Sequence, residues 1–336
     1  MPSSTSASNS AAVRYAKALL AICAILIAGL EVSANYLLRH NSATYTRISQ
    51  QYKRALLIRS SEPGEPQSVL MVGNSLLLHG VQVDRLRSLT SSSMNLYPLF
   101  LEQTGYYDWY YALRKLFRQG ARPDAVVVGV GVNYFLENGV RQDYAPMLFF
   151  DARDTLAVAS DLQLDRTAAS NLLLAHASTF WDTRSAVRTQ MLNHSVPHLQ
   201  ELFSLISPKP SLPQGSEFAV IAVPRLQKLR DLCEEHGAKL ILLVPPTLSS
   251  ETAVGDMARA AQATGVDVSV PIDPEALSAK FYQPDGMHLN SDGAVLFTSA
   301  LAKDLPERII GHKTFSSRQQ ASTLNSFSKD STRLQR

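Results

Sequence analysis

Three short stretches of the chain carry side chains that could do nucleophilic chemistry together. Gly73-Asn74-Ser75-Leu76 follows directly on an unbroken apolar run, Ser68 to Val72. A serine so placed sits on a strand-to-helix turn. Gly73 permits a tight bend there, and the N–H groups opening the next helix face any oxyanion that develops. In Asp285-Gly286-Met287-His288 the carboxylate stands three residues before the imidazole. It can accept the Nδ1 proton and leave Nε2 facing a nucleophile. A serine hydroxyl needs such a base, because its own pKa lies far above neutrality. Gly131-Val132-Asn133 closes another apolar run. An asparagine amide at that point can donate to an oxyanion, a contribution of about 3 kcal/mol for one donor. Each stretch by itself also reads as a turn with polar helix-capping groups, so the elements around them decide.

Those elements alternate. Apolar runs predict strands at Ser68–Val72, Ser93–Tyr97, Ala125–Gly131, Lys239–Val244 and Val266–Ile272. Helical spacing predicts helices at Tyr106–Arg118, Phe218–His236 and Thr252–Thr264, and a last one from Ser291 to Leu301 capped by Asn290 or Ser291. Nearly every strand is apolar throughout, as strands buried on both faces are. The pattern predicts a flavodoxin-like three-layer α/β domain with a mostly parallel sheet, whose functional residues lie at the carboxyl ends of the strands. Ser75, Asn133 and the Asp285–His288 stretch fall at such ends or in the last loop before the closing helix.

Taken in order, these residues resemble the SGNH (GDSL-like) hydrolase superfamily, in a membrane-anchored, exported form. That family carries a Gly-Asp-Ser block after its first strand, a glycine in a second block, a Gly-x-Asn block and a C-terminal Asp-x-x-His block. The resemblance covers roughly residues 68–135 and 238–303. It implies that Ser75 is the nucleophile, His288 the general base and acid, and Asp285 its orienting partner. Asn133, the Ser75 N–H and Gly105 are the implied oxyanion donors, Gly105 being the best match to the second-block glycine. The sequence departs from the family in three places. Asn74 stands where an Asp precedes the serine, Gly80 lies one residue later than the usual glycine, and Gly105 is farther from its strand.

Between about Arg141 and Gly215 the alternation stops, and the region reads as a helical insertion, with helix over Leu156–Ser178 and a Pro-rich exit at Pro208–Pro213. The expected organisation is an N-terminal segment over 1–40, a linker over 41–67 that is polar and helical from Asn41 to Arg59 and punctuated by Pro63, Gly64 and Pro66, the hydrolase-like domain over 68–312 and a Ser-, Gln- and Arg-rich disordered tail over 313–336. His79 reads as a helix-face neighbour of Ser75. His176, His194 and His198 lie in the insertion without an assignable role. Of the run Tyr106, Tyr107, Trp109, Tyr110 and Tyr111, at least half is expected in the core and the remainder could line a sugar groove. Glu102 and Asp108 beside it are possible substrate contacts.

Arg14 and Lys17 precede an apolar run from Ala18 to Leu30, interrupted by Glu31 and resumed at Tyr36-Leu37-Leu38. An uncleaved anchor from Tyr15 to Leu38 ranks first, a signal peptide cut after Val32-Ser33-Ala34 second, and a buried soluble helix third. The positive residues keep the N-terminus cytoplasmic, so the first two readings export the remainder, to the periplasm. A formal charge of +3 spread over 336 residues makes nucleic acid a poor partner. The two cysteines, Cys23 and Cys233, are not expected to meet, and no spacing calls for a metal or an organic cofactor. The expected activity is hydrolysis of an acyl ester, in the first place acetyl on an envelope or exported carbohydrate. Transfer of the acyl group to a polysaccharide hydroxyl, with a membrane partner as donor, is the alternative. A non-catalytic glycan-binding scaffold is the third reading.

Overall fold

The computed structural model describes residues 5–129, 131–195, 212–248 and 251–309. Two compact units are distinguished. One joins the residues up to Arg47 to the insertion that starts at Gln142, and the other comprises Ile48–Arg141 with the chain beyond the insertion.

The second unit is built on five parallel strands: β1 Gln67–Gly73, β2 Met94–Phe100, β3 Ala125–Gly129, β4 Lys239–Leu243 and β5 Asp267–Ser269. Their order is β2-β1-β3-β4-β5, the flavodoxin-like arrangement expected, with the direction of winding reversing between β1 and β3. Val69, Met71, Val127, Ile241 and Leu243 point into a core shared with Leu77, Phe297, Leu301 and Leu305. The alternate residues Leu70, Val72, Val126, Val128, Leu240 and Leu242 are buried too. Helices on both faces therefore explain why these strands carry no polar alternation.

The helices, in chain order, are α1 Thr5–Asn41, α2 Ala43–Leu56, α3 Ser75–Gly80, α4 Val83–Thr90, α5 Tyr106–Arg118, α6 Val132–Leu136 and α7 Ala145–Leu148. There follow α8 Ala152–Asp161, α9 Arg166–Ala177, α10 Thr179–Ser195, α11 Gly215–Glu234, α12 Glu251–Thr264 and α13 over 291–309. Asn290 caps α13, its Oδ1 accepting from Asp292 N at 3.1 Å and Gly293 N at 3.0 Å.

Several boundaries differ from those read in the sequence. β2 runs past Tyr97 through Pro98, because β2 is an edge strand. Leu101 N faces inward to Gly73 O at 3.0 Å, whereas Phe100 N faces outward to Gln51 Oε1 at 3.0 Å. Pro98 shares the parity of Phe100, so its missing N–H costs no ladder bond. The 156–178 helix is two helices, broken near Gln163, which has a φ of 50°. Within the linker segment 41–67 the helix expected over 41–59 is α2, which packs on the domain: it buries Ile48, Tyr52 and Ala55 at helical spacing, and Tyr52 Oη donates to Gln119 Oε1 at 2.8 Å. Its polar residues are the outer face of a packed helix. The tail over 313–336 and residues 208–211 of the Pro-rich exit lie outside the described residues.

In the first unit, α1 holds a stretch from Ala12 to Asn41 that is long and apolar enough to cross a membrane, its most apolar 18 residues having a mean hydropathy of 2.0. The ends of β1 and β3 make the strictest demand on side-chain size in the second unit. Gly73 and Gly129 are in register, and a methyl group on Gly73 would strike the Gly129 carbonyl oxygen and Leu77. Gly73→Ala is expected to destabilise the chain by about 1–3 kcal/mol, the usual range for overpacking. Urea unfolding of the full-length chain in detergent would measure it.

Candidate active site

At the end of β1 the chain turns through Asn74 into α3. Asn74 is fully buried and works in two directions. Its Oδ1 accepts from Leu76 N at 3.1 Å as the helix N-cap, and its Nδ2 donates to Thr104 O at 3.3 Å. An ionised Asp could cap the helix but could not donate to that carbonyl. Asn74 thus ties the β1 turn to the loop after β2. Ser75 is the first residue of α3, where a backbone N–H has no acceptor within the helix.

The turn after β5 brings up the other two groups. Asp285 Oδ2 is 2.6 Å from His288 Nδ1, and His288 Nε2 is 2.8 Å from Ser75 Oγ. Asp285 Oδ1 accepts from Met287 N at 2.8 Å and His288 N at 2.9 Å. Burial works to raise the Asp285 carboxyl. The hydrogen bond to His288, the two main-chain donors and the His288 charge outweigh it and hold the carboxyl below its ordinary range. Gly286 completes the turn with a φ of 66°, a conformation that favours glycine. Leu248 N donates to Gly286 O at 3.1 Å, and Gln283 N to His288 O at 2.7 Å, so the turn is held from both sides. His79, one turn after Ser75, presents its ring edge-on to His288 with 5.1 Å between centroids.

Asn133 lies in α6, which leaves the end of β3 beside β1. Gly131 lets this turn close on α3, because a Cβ there would lie 2.9 Å from Leu76 Cδ1 and 2.8 Å from Asn133 Oδ1. One residue that holds this turn was not anticipated. Arg225, on α11, is 9% exposed and donates to Phe135 O at 2.6 Å and Glu137 O at 2.9 Å. Its guanidinium also stands over the rings of Tyr106 and Tyr107 at 5.0 and 4.9 Å. Its only sequence signal was a basic residue one position before Leu226 on the apolar side of a helix.

Gly105 requires a correction. It opens α5 as expected, but its N–H donates to Asp108 Oδ2 at 2.9 Å, the one half of a capping box that a glycine N-cap can make, so it is not a ready oxyanion donor. Its glycine character serves packing, since a Cβ would lie 2.5 Å from Tyr134 O. Asp108 is correspondingly buried and not a surface contact. Its other oxygen accepts from Arg141 N at 3.0 Å. Burial pushes its carboxyl up to about 7, against the Gly105 and Arg141 N–H donors and the Arg141 charge. Glu102, partly exposed, pairs with Arg141 at 3.9 Å. Tyr106, Trp109 and Tyr111 are core residues, while Tyr107 and Tyr110 are partly exposed. His176 belongs to the first unit, with Nδ1 2.9 Å from Pro146 O. His198 and the His194 side chain lie outside the described residues.

Fold and geometry together define a doubly wound α/β domain with a hydrogen-bonded serine–histidine–aspartate relay at its topological switch point. No family model matches the chain, and no curated protein does. Among solved structures it is similar to a putative SGNH hydrolase from Slackia heliotrinireducens, with 15% identity, 72% of this chain and 100% of that chain covered, and a TM-score of 0.38. It is likewise similar to TesA, with 12% identity, 71% and 99% covered, and a TM-score of 0.38. A catalytic mutant of Axe2, an acetylxylan esterase from Geobacillus stearothermophilus, shows 11% identity, 72% and 94% covered, and a TM-score of 0.40.

The relay has a pH signature. A carboxyl whose folded pKa is depressed adds stability above its unfolded pKa, and that stability is lost as pH falls through the folded value. Asp285→Asn removes the contribution. The stability gap between wild type and Asp285→Asn, read from urea midpoints, is therefore expected to be widest near pH 6 and to narrow below the ordinary carboxylate range of about 4.

Proposed function

We propose that this chain is a serine ester hydrolase, and the observation that carries the reading is the continuous relay from Ser75 Oγ through His288 to Asp285. Ser75 Oγ attacks the ester carbonyl carbon as His288 Nε2 takes its proton. Asp285 holds Nδ1 and stabilises the imidazolium. The negative oxygen is received by the Ser75 N–H at the α3 terminus and the Asn133 amide. When the carbonyl re-forms, the ester C–O bond breaks and His288 returns the proton to the leaving alcohol. Water repeats the sequence on the acyl-serine and releases the acid.

The proposed substrate is an acetyl ester of an exported carbohydrate. The openness of the site supports it: the Asp285 side chain is 45% exposed and that of His288 22%, which leaves room for a bulky alcohol. Export is supported by the apolar stretch of α1, with Arg14 and Lys17 on its N-terminal side.

Ser75→Ala is expected to lower acetate release from p-nitrophenyl acetate by at least about 10³-fold and to abolish labelling by a fluorophosphonate. Asn133→Ala should lower kcat by about 10²–10³-fold. Each assay is run with and without an acetylatable polysaccharide. Ser75-dependent release that the polysaccharide leaves unchanged supports the hydrolase. Acetylation of the polysaccharide at the expense of release would make it an acyltransferase. Equal activity of wild type and Ser75→Ala would overturn Ser75 chemistry.

A further inference from the structure

Glu31 is the one acidic residue in the apolar stretch of α1, and within the first unit it is fully engaged. Its carboxylate accepts from Ser178 Oγ at 2.7 Å, Thr179 N at 2.7 Å and Phe180 N at 3.1 Å. Asn35, one turn on, donates Nδ2 to Glu31 Oε1 at 3.1 Å. The donors from 178–180 form the N-terminus of α10, whose unsatisfied N–H groups and positive dipole end suit a carboxylate. A residue 147 positions away in sequence thus caps a helix of the insertion from within the apolar helix.

The geometry sets a depth. A hydrocarbon core of about 30 Å takes about 20 helical residues. Counted from Tyr15, just after Arg14, they end near Ala34, with Lys17 able to extend its amine back to the near interface. Glu31 then lies about one turn inside the far boundary. An unpartnered carboxylate there would be costly, and α10 supplies the partners. Ser178, Thr179 and Phe180 must therefore reach the same level. The apolar exposure nearby agrees with this: Phe180, Val187 and Met191 recur along α10 at helical spacing, and Leu173 and Leu174 lie on the preceding α9, all exposed. Trp181, next to Phe180, is half-buried, its ring under the Arg184 guanidinium at 3.9 Å, which places one aromatic reporter beside this exposed apolar group.

We propose that the insertion is a membrane-seating module: Glu31 clamps α10 to a retained N-terminal helix, and the exposed apolar side of α10 lies in the outer interface of the bilayer that α1 crosses. Cleavage after Ala34 would remove the clamp, so the mature chain keeps α1. The module acts independently of the chemistry at Ser75. It holds the insertion against the membrane surface whatever the ester.

The chain has two tryptophans, of which Trp109 is fully buried in the second unit. The test reconstitutes the full-length chain in nanodiscs of phosphatidylcholine brominated near the headgroup end of the acyl chains. Tryptophan emission is expected to be quenched by roughly half relative to unbrominated lipid. That quenching should disappear in Trp181→Phe and shrink in Glu31→Ala. The mass of the chain extracted from membranes should include residue 31. Unquenched wild-type emission, quenching that survives Trp181→Phe, or a mature chain starting at Asn35 would each overturn the proposal. Circular dichroism unchanged from wild type in Glu31→Ala separates loss of the clamp from loss of the fold. None of these readouts depends on esterase activity.

Discussion

The architecture of the site depends on two strands ending side by side without side chains between them. Gly73 and Gly129 face one another in parallel register, and the room they leave is filled by Leu77 from α3. This lets the turn carrying Ser75 and the turn carrying Asn133 leave the sheet at one point, where the winding of the helices reverses and a crevice opens. Gly131 and Gly105 continue the same logic outward, each allowing a loop to approach where a Cβ would collide. The polar groups are thus held by backbone packed to its steric limit, and groups positioned on rigid elements need little further ordering when a ligand arrives.

Most of the architecture was legible because it rests on local pattern. Unbroken apolar runs marked three of the strands closely, β1, β3 and β4, and α5 was found at its observed limits because Gly105 and Gly120 punctuate an amphipathic segment. Ser75, Asp285 and His288 were readable because strand ends and a closing helix place them where a parallel sheet exposes side chains. The misreadings share a cause, in that each depended on what a polar group would pair with. The Gly105 N–H looked available, although Asp108 three residues on was the visible half of a capping box. Arg225 and Glu31 carried no local sign of their partners, which lie 90 and 147 positions away. Long-range pairing of single polar side chains has no periodicity to betray it.

The two units use polar groups differently. In the second, buried charge is spent on holding loops: Asp108 gathers the N–H groups of Gly105 and Arg141, and Arg225 gathers carbonyls after Asn133. These contacts surround the relay without joining it, and they limit how far the turns bearing Asn133 and Tyr107 can move. In the first unit acids meet helix ends: Glu31 at α10, Asp151 at α8 and Asp165 at α9.

Asp285 and His288 share one turn of chain, whereas Ser75 stands 213 positions away. The relay therefore has a single non-local joint. The carboxylate and imidazole come from one turn of chain, braced by Leu248, while Ser75 arrives on the turn after the first strand of the sheet. Under the proposed chemistry, reactivity at Ser75 would be a sensor of chain closure: it would arise only when the two ends of the domain have met, and any loosening of the last loop would silence it while the sheet still stood.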